Sequence, residues 1–220
     1  MLEKFIETML TIIGPATLQT LYMTVISMIF GSLLGFVIAV LLLITGADGM
    51  HPNKIIYAIT DFLVNTFRSF PFIILIVAII PLTRLIAGTS IGTKAAIVPL
   101  TIAMAPFIGR IFENAFQEVA PEVIEAGRAI GMTDWQIIWH IIMVESVPAV
   151  VSGMILATIT AMGGTAMAGA VGAKGLGAVA LMYGYQSFND MVMYTTVVIL
   201  IIIVQFIQSF GNWIYKKVKQ

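Results

Sequence analysis

Apolar residues fall into five long stretches separated by short polar ones. They run roughly from Leu18 to Ile44, Ile55 to Ile80, Lys94 to Phe112, Ala149 to Ala170 and Met191 to Trp213. About twenty apolar residues, rising ~1.5 Å each as a helix, cross a ~30 Å hydrocarbon core. Lipid offers no partner to a free peptide group, so a crossing segment must satisfy its own backbone. The pattern therefore predicts an all-α integral membrane protein with five transmembrane helices in a single domain, residues 1–220. The first stretch exceeds the core thickness, so it is expected to tilt or to project at one end. Two connecting stretches read as loops: 45–54 with its glycines and proline, and Pro81 to Thr93; residues 171–189 are glycine-rich and moderately apolar.

Within the apolar stretches, small residues recur at every fourth position. The first carries Ser27, Gly31, Gly35 and Ala39; the fourth carries Gly153, Ala157, Ala161, Thr165 and Gly169. Such rows let helix backbones approach closely. In the first stretch ordinary packing between helices accounts for the row. In the fourth, its length suits either a very close helix contact or the smooth wall of a pathway. The second stretch holds Asp61 and Arg68, followed by Pro71 as a helix breaker. A charge inside the bilayer costs several kcal/mol, so Arg68 either anchors at the interface or serves function inside the bundle. Pro99 and Pro106, seven apart in the third stretch, mark one face of a bent helix.

Composition agrees. Of 220 residues, 60% are hydrophobic and 10% are charged, against about 25% charged in soluble domains. Eleven Lys and Arg balance eleven Asp and Glu, so no basic excess points to nucleic acid. Without cysteine there is no disulfide, thiolate nucleophile or thiolate metal site. His51 and His140 lie on different segments, and no metal site is expected. The N-terminal residues carry Glu3, Lys4 and Glu7 before a long apolar run, unlike a cleaved leader, so the first span is expected to be retained.

One stretch breaks the apolar pattern. Residues 113–148 hold Glu113, Glu118, Glu122, Glu125, Arg128, Asp134 and Glu145, with Pro121, Gly131, Thr133 and Pro148 as punctuation. The expectation is a water-facing segment of two short helices joined at Gly131. Pro121 suits a first helical position, and Glu122 and Glu125 suit the positive end of the helix dipole. Glu125 and Arg128, three apart, can pair. Gly131 suits a left-handed stop, and Thr133 with Gln136 resembles a capping box. Ala126 and Gly127 are small enough for a partner to approach; a plain helical hairpin without a partner is the alternative. Placement of Lys and Arg favours an outside N-terminus and an inside C-terminus, with Lys54, Arg110, Arg128 and the terminal lysines in the cytoplasm and Arg68 near that face. The outer side keeps Lys4, Arg84, Lys94 and Lys174. No phosphate-binding glycine loop occurs: Lys174 is flanked by Ala173 and Gly175.

Glu125-Ala126-Gly127, then Gly131, then Ile141, is similar to the EAA signature of ABC importer permeases. Gly127 stands where the signature has Ala, and Met143-Val144 where it has Leu-Pro; Pro148 is expected to set the return into the membrane instead. Arg68-Ser69-Phe70-Pro71-Phe72, Thr89-Ser90-Ile91-Gly92, Ala105-Pro106-Phe107-Ile108, and Ala168 through Gly177 with Tyr183-Gly184-Tyr185 resemble the methionine importer permeases. The resemblance covers almost the whole chain and implies the type I ABC importer permease fold, N-out and C-in, in a bacterial inner (cytoplasmic) membrane. It implies a non-enzymatic transport subunit, binding no cofactor itself, with ATP bound and hydrolysed by a partner. The implied partners are a second copy of the chain, two ATPase subunits and an extracytoplasmic binding protein. The implied coupling residues are Glu122, Glu125, Ala126, Gly127, Arg128 and Gly131. The small residues and polar interruption of the fourth stretch make Met162, Gly163, Gly164, Thr165 and Met167 the expected pathway wall. Rival readings are a permease for another amino acid or small peptide, a secondary transporter or channel with Asp61 as its main coupling acid, and a non-transporting scaffold.

Overall fold

The computed structural model describes residues 2–47 and 49–219, without the side chains of Leu2 and Lys4. The contribution of Lys4 to the charge bias thus lies outside the described residues. A short helix α1 (Leu2–Thr8) passes through a wide π-type turn at Met9–Ile13 into α2 (Gly14–Thr45). From Phe5 to Thr45 this is a 41-residue apolar helix. It begins well before the expected Leu18 because Pro15 falls in the first turn of α2, where its missing N–H breaks no bond. A turn segment then leads to α3 (Lys54–Ser69), whose N-terminus is capped by Asn53 Oδ1 accepting from the amides of Ile55 and Ile56 at 3.1 Å.

The expected second span is not one gently kinked helix. After Ser69 the chain turns by 105° into α4 (Phe72–Ala78). Phe70 precedes a proline and so takes extended backbone, and Pro71 caps the new helix instead of continuing the old one. Most of the expected loop from Pro81 is also helical: α5 (Ile80–Ala87) places Pro81 in its first turn and stops at Gly88, which has φ +72°.

Helix α6 (Thr93–Gln117) is the centre of the bundle, and it runs past the expected end at Phe112. Pro99 and Pro106 are both buried on it. Its main neighbour is α2, and the small-residue row of α2 is the reason they approach so closely. Ser27, Gly31, Gly35 and Ala39 are all buried. A Cβ on Gly35 would sit 2.9 Å from the Ala105 carbonyl oxygen and the Gly109 amide nitrogen, so the two backbones touch there.

The polar stretch forms α7 (Pro121–Ala129), α8 (Asp134–Ile137), a second wide turn at Ile138–Ile142, and α9 (Met143–Glu145). After Ser146 the chain continues as α10 (Val147–Ala170), with Pro148 in its first turn. Along α10 the row Ala157, Ala161, Thr165 and Gly169 is buried. A side chain at Gly169 would collide with the backbone of Gly177 and Ala178. The fourth-span row is therefore a close helix contact.

Residues 171–189, glycine-rich and moderately apolar, are largely helical. They contain α11 (Leu176–Val179), continued by a π-type segment at Ala180–Gln186. Leu176 to Val179 are buried, and the Thr20 hydroxyl accepts from the Leu176 amide at 2.8 Å. The last helix is α12 (Asp190–Val218), capped by Asn189 and ending beyond the expected Trp213. Among the described residues four helices are long and apolar enough to cross a membrane, and the bent pair α3–α4 makes a fifth candidate span.

Candidate coupling surface and translocation cavity

At one end of the bundle α7 and α8 form the angle anticipated for 113–148, though its limits differ. Glu113 belongs to α6 and is buried, not solvated. The corner is set locally. Gly131 has φ +82°, a conformation that costs other residues about 1 kcal/mol. The Thr133 hydroxyl accepts from the Gln136 amide, and the Gln136 side chain accepts from the Thr133 amide at 2.9 Å. This reciprocal cap fixes the direction in which α8 leaves.

Glu122, Glu125, Ala126, Arg128 and Gly131 are exposed on this corner. Gly127 is not. It faces α8 and its extension, and an added Cβ would meet Ile141 Cδ1, Met132 Sδ and Ile137 Cγ1. Its small size therefore serves the packing inside the corner, not the approach of a partner. No ion pair joins Glu125 to Arg128 among the described residues; both heads face water. Ile130, Trp135 and Val123 add exposed apolar surface beside these charges.

The corner is tied to the spans by rings and charges. Phe36 of α2 packs edge-on against Phe112 and Phe116 of α6, with centroids 6.3 and 6.4 Å apart, and against Trp139 at 6.1 Å. Each such pair contributes about 0.5–1.5 kcal/mol beyond its buried area. His51, in the segment between α2 and α3, lies 3.3 Å from the Asp134 carboxylate. His140 lies 3.1 Å from the Gln136 carbonyl through Nδ1. Among the described residues no group of three His, Asp or Glu is arranged to hold a metal.

Asp61 is held in a place the sequence did not disclose. Arg110, expected in the cytoplasm, packs between helices and donates from one nitrogen to Asp61 and Asn65 of α3 and from another to Glu113 at 2.7 Å. Gln117 donates to the second Glu113 oxygen at 3.4 Å. Two carboxylates thus share one guanidinium, joining α3 to α6 across 49 residues of sequence. Arg68 is elsewhere: it stands in the last turn of α3, just before the 105° break. That is about 21 Å of helix from Lys54.

An open cavity of about 510 Å³ lies beside the break. The α3–α4 corner supplies Phe67, Arg68, Phe70 and Phe72, and α6 supplies Leu100, Ala103, Met104 and Phe107. From α10 come Thr160, Ala161, Gly163, Gly164 and Met167. Thr160, Gly163, Gly164 and Met167 follow helical spacing along a face next to the packed row. Of the expected pathway residues, Gly163, Gly164 and Met167 line this cavity. Met162 and Thr165 do not; both are buried in packing, and the Thr165 hydroxyl donates to the Met162 carbonyl at 2.7 Å.

Known proteins share this arrangement. The family model described as "Binding-protein-dependent transport system inner membrane component" matches residues 31–220. A probable D-methionine transport system permease protein MetI of Vibrio cholerae is 43% identical over 203 residues, 92% of this chain and 90% of that one. The methionine import system permease protein MetP of Bacillus subtilis is 40% identical over 215 residues, 97% of each chain. Among solved structures, a chain of the MetNI methionine ABC transporter in an inward-facing conformation superposes with a TM-score of 0.95. It is 44% identical, and the match covers 97% of this chain and 99% of that one. An amino acid ABC transporter at 18% identity and TM-score 0.77 shares the fold. With the cavity, the exposed corner and the break in α3–α4 all lying within the matched residues, the chain belongs to the family of inner-membrane components of binding-protein-dependent transport systems.

Proposed function

We propose that this chain is the permease subunit of an ATP-driven importer whose substrate is methionine. The observation that carries the reading is the 44% identity, over nearly the full length of both chains, to the permease of a methionine transporter. In this reading two copies form the membrane dimer, N-terminus outside and C-terminus inside. Two separate ATPase subunits dock on the two α7–α8 corners, and an extracytoplasmic binding protein delivers substrate. The exposed charges Glu122, Glu125 and Arg128 meet the ATPase, while Gly131 and the Thr133 cap hold the corner at a fixed angle. The aromatic cluster around Phe36 then carries ATPase movement into α2 and α6. The cavity lined by Gly163, Gly164 and Met167 is the pathway, and Met162 and Thr165 support its wall from behind.

Two experiments test this. Glu125→Lys combined with Gly131→Pro should abolish co-purification with the cognate ATPase and stop uptake of labelled methionine; undiminished association and uptake would sink the coupling role. Gly163 has nothing within 4 Å of where a Cβ would stand, so a larger side chain there enters open space. Gly163→Leu should leave the protein folded and assembled yet slow uptake at least several-fold. Wild-type uptake in a well-expressed Gly163→Leu transporter would remove the cavity from the pathway. Competition by unlabelled amino acids and peptides decides the substrate.

A further inference from the structure

The cavity has one charged side chain on its lining, and the Glu113 carboxylate answers that charge only at a distance. Arg68 makes no hydrogen bond or ion pair among the described residues. The carboxylates that could neutralise it are engaged: Asp61, two turns earlier on α3, and Glu113 of α6 both bind Arg110. Around Arg68 the walls are apolar, with Phe67, Phe72, Met104, Phe107 and Met167 among them, and Thr160 is the only hydroxyl. The break at Phe70-Pro71 ends α3 immediately beyond Arg68 and keeps the head at the cavity instead of along a continuing helix.

Arg68 is exposed, and its guanidinium is the single charge on an otherwise mostly apolar lining, so it is the group there that attracts an anion. Its planar fork matches a carboxylate with two parallel hydrogen bonds. A volume of about 510 Å³ falls in the range of small-molecule sites and holds an amino acid together with water. No acidic side chain lies on the lining to receive an ammonium group. The charge pattern is therefore one-sided and orients a zwitterion by its carboxylate end.

We propose that Arg68 receives the carboxylate of the amino-acid substrate as it crosses the cavity, while the phenylalanine and methionine side chains around it take up the substrate's apolar side chain. This rests on the reading of the chain as an amino-acid importer permease, and it adds a specificity-determining residue inside the membrane. In mechanism, Arg68 offers a transient station. One charge-assisted contact is strong enough to draw the carboxylate in, and without a second, ammonium-binding group it is weak enough to let go.

The test uses the complete transporter, permease with its ATPase and binding protein, in proteoliposomes. Labelled L-methionine is the probe, and the variants are Arg68→Gln and Arg68→Lys. Losing a charge-assisted hydrogen bond should lower the maximal rate of Arg68→Gln roughly tenfold or more. The binding-protein concentration giving half-maximal rate, the stimulated ATP hydrolysis and the size of the assembly should not change. Arg68→Lys, which keeps the charge but not the fork, should recover a substantial part of the rate. Wild-type transport by Arg68→Gln would overturn the proposal. So would equal loss in both variants, or loss accompanied by dissociation of the assembly, because Arg68 would then serve packing or the contact between copies. If the unaltered transporter ignores methionine but carries another amino acid, only the methionine reading fails, and the same comparison is made on that amino acid. If it carries nothing with a carboxylate, both fail.

Discussion

Replacing Arg110 by Met should cost more stability than any other single exchange of a charged side chain in this protein. Among the described residues Arg110 is the only cation touching Asp61 and Glu113, and its side chain is 19% exposed against 1% for Glu113 and 33% for Asp61. Met keeps the apolar stem, so the loss is confined to the charge and its hydrogen bonds. Removing one partner of a buried pair costs about 3–5 kcal/mol, because the survivor keeps its desolvation penalty without its partner. Asp61 reaches water and contributes less, so Glu113 carries most of the effect and ~3 kcal/mol is expected. Glu113→Gln in the same chain removes the stranded charge. The double variant should then recover part of the loss, with a coupling of about 2 kcal/mol between the sites. Unfolding of the purified protein in mixed micelles by titration with sodium dodecyl sulfate, followed by helical circular dichroism, measures all four corners of the cycle. A cost below about 1 kcal/mol for Arg110→Met, or a coupling near zero, would refute the claim that this cluster is a desolvated joint between α3 and α6.

Further outcomes follow from close contacts and caps. Gly35→Leu should abolish the folded protein, since even a Cβ there lies 2.9 Å from two backbone atoms of α6; yield of monodisperse protein in detergent measures it, with Gly163→Ala as the tolerated control. Thr133→Ala should destabilise the α8 end by about 1 kcal/mol through the lost cap; faster amide exchange over residues 131–137, together with weaker ATPase co-purification, is the expected signature.

Local rules expressed in neighbouring residues were readable from the chain. The Thr133–Gln136 cap and the left-handed Gly131 each need only a few adjacent residues, and both are as expected. The row Ser27, Gly31, Gly35 and Ala39 also announced itself by spacing, because four small residues on one helix face have few other uses. What the sequence hid is tertiary. Arg110 looks like a cytoplasmic charge near a span end until Asp61 is brought against it by the fold. Residues 176–186 gave no clear helical signal, since glycine disfavours helices. They are helical all the same, and a side chain at Gly177 would strike the backbone of Ala166, so this glycine is a contact point, not a breaker. Pro71 predicted a kink but not its size; a proline at the cap of a new helix permits any angle, and packing of Phe72 against Leu100 and Ala168 selects this one. At the candidate site, spacing alone could not separate the packed face of α10 from the adjoining cavity face. That is why Thr165 and Met162 were expected beside Gly163 and Gly164.

The wide turn at Ile138–Ile142 sets the rotational phase between α8 and the helical segments that follow it. It accommodates one residue more than an α-helix would over the same rise, which offsets the faces on either side by about 100°. Trp135 stands before this offset, and the face of α10 carrying Gly163 and Gly164 stands beyond it. Removing a single residue from the turn would restore even winding and swing one face round against the other. The length of the chain would hardly change, but a thrust applied at the corner would arrive at the cavity as torque about the wrong axis. If the corner is where the ATPase pushes, the extra residue acts as a gear tooth that decides which wall of the cavity turns.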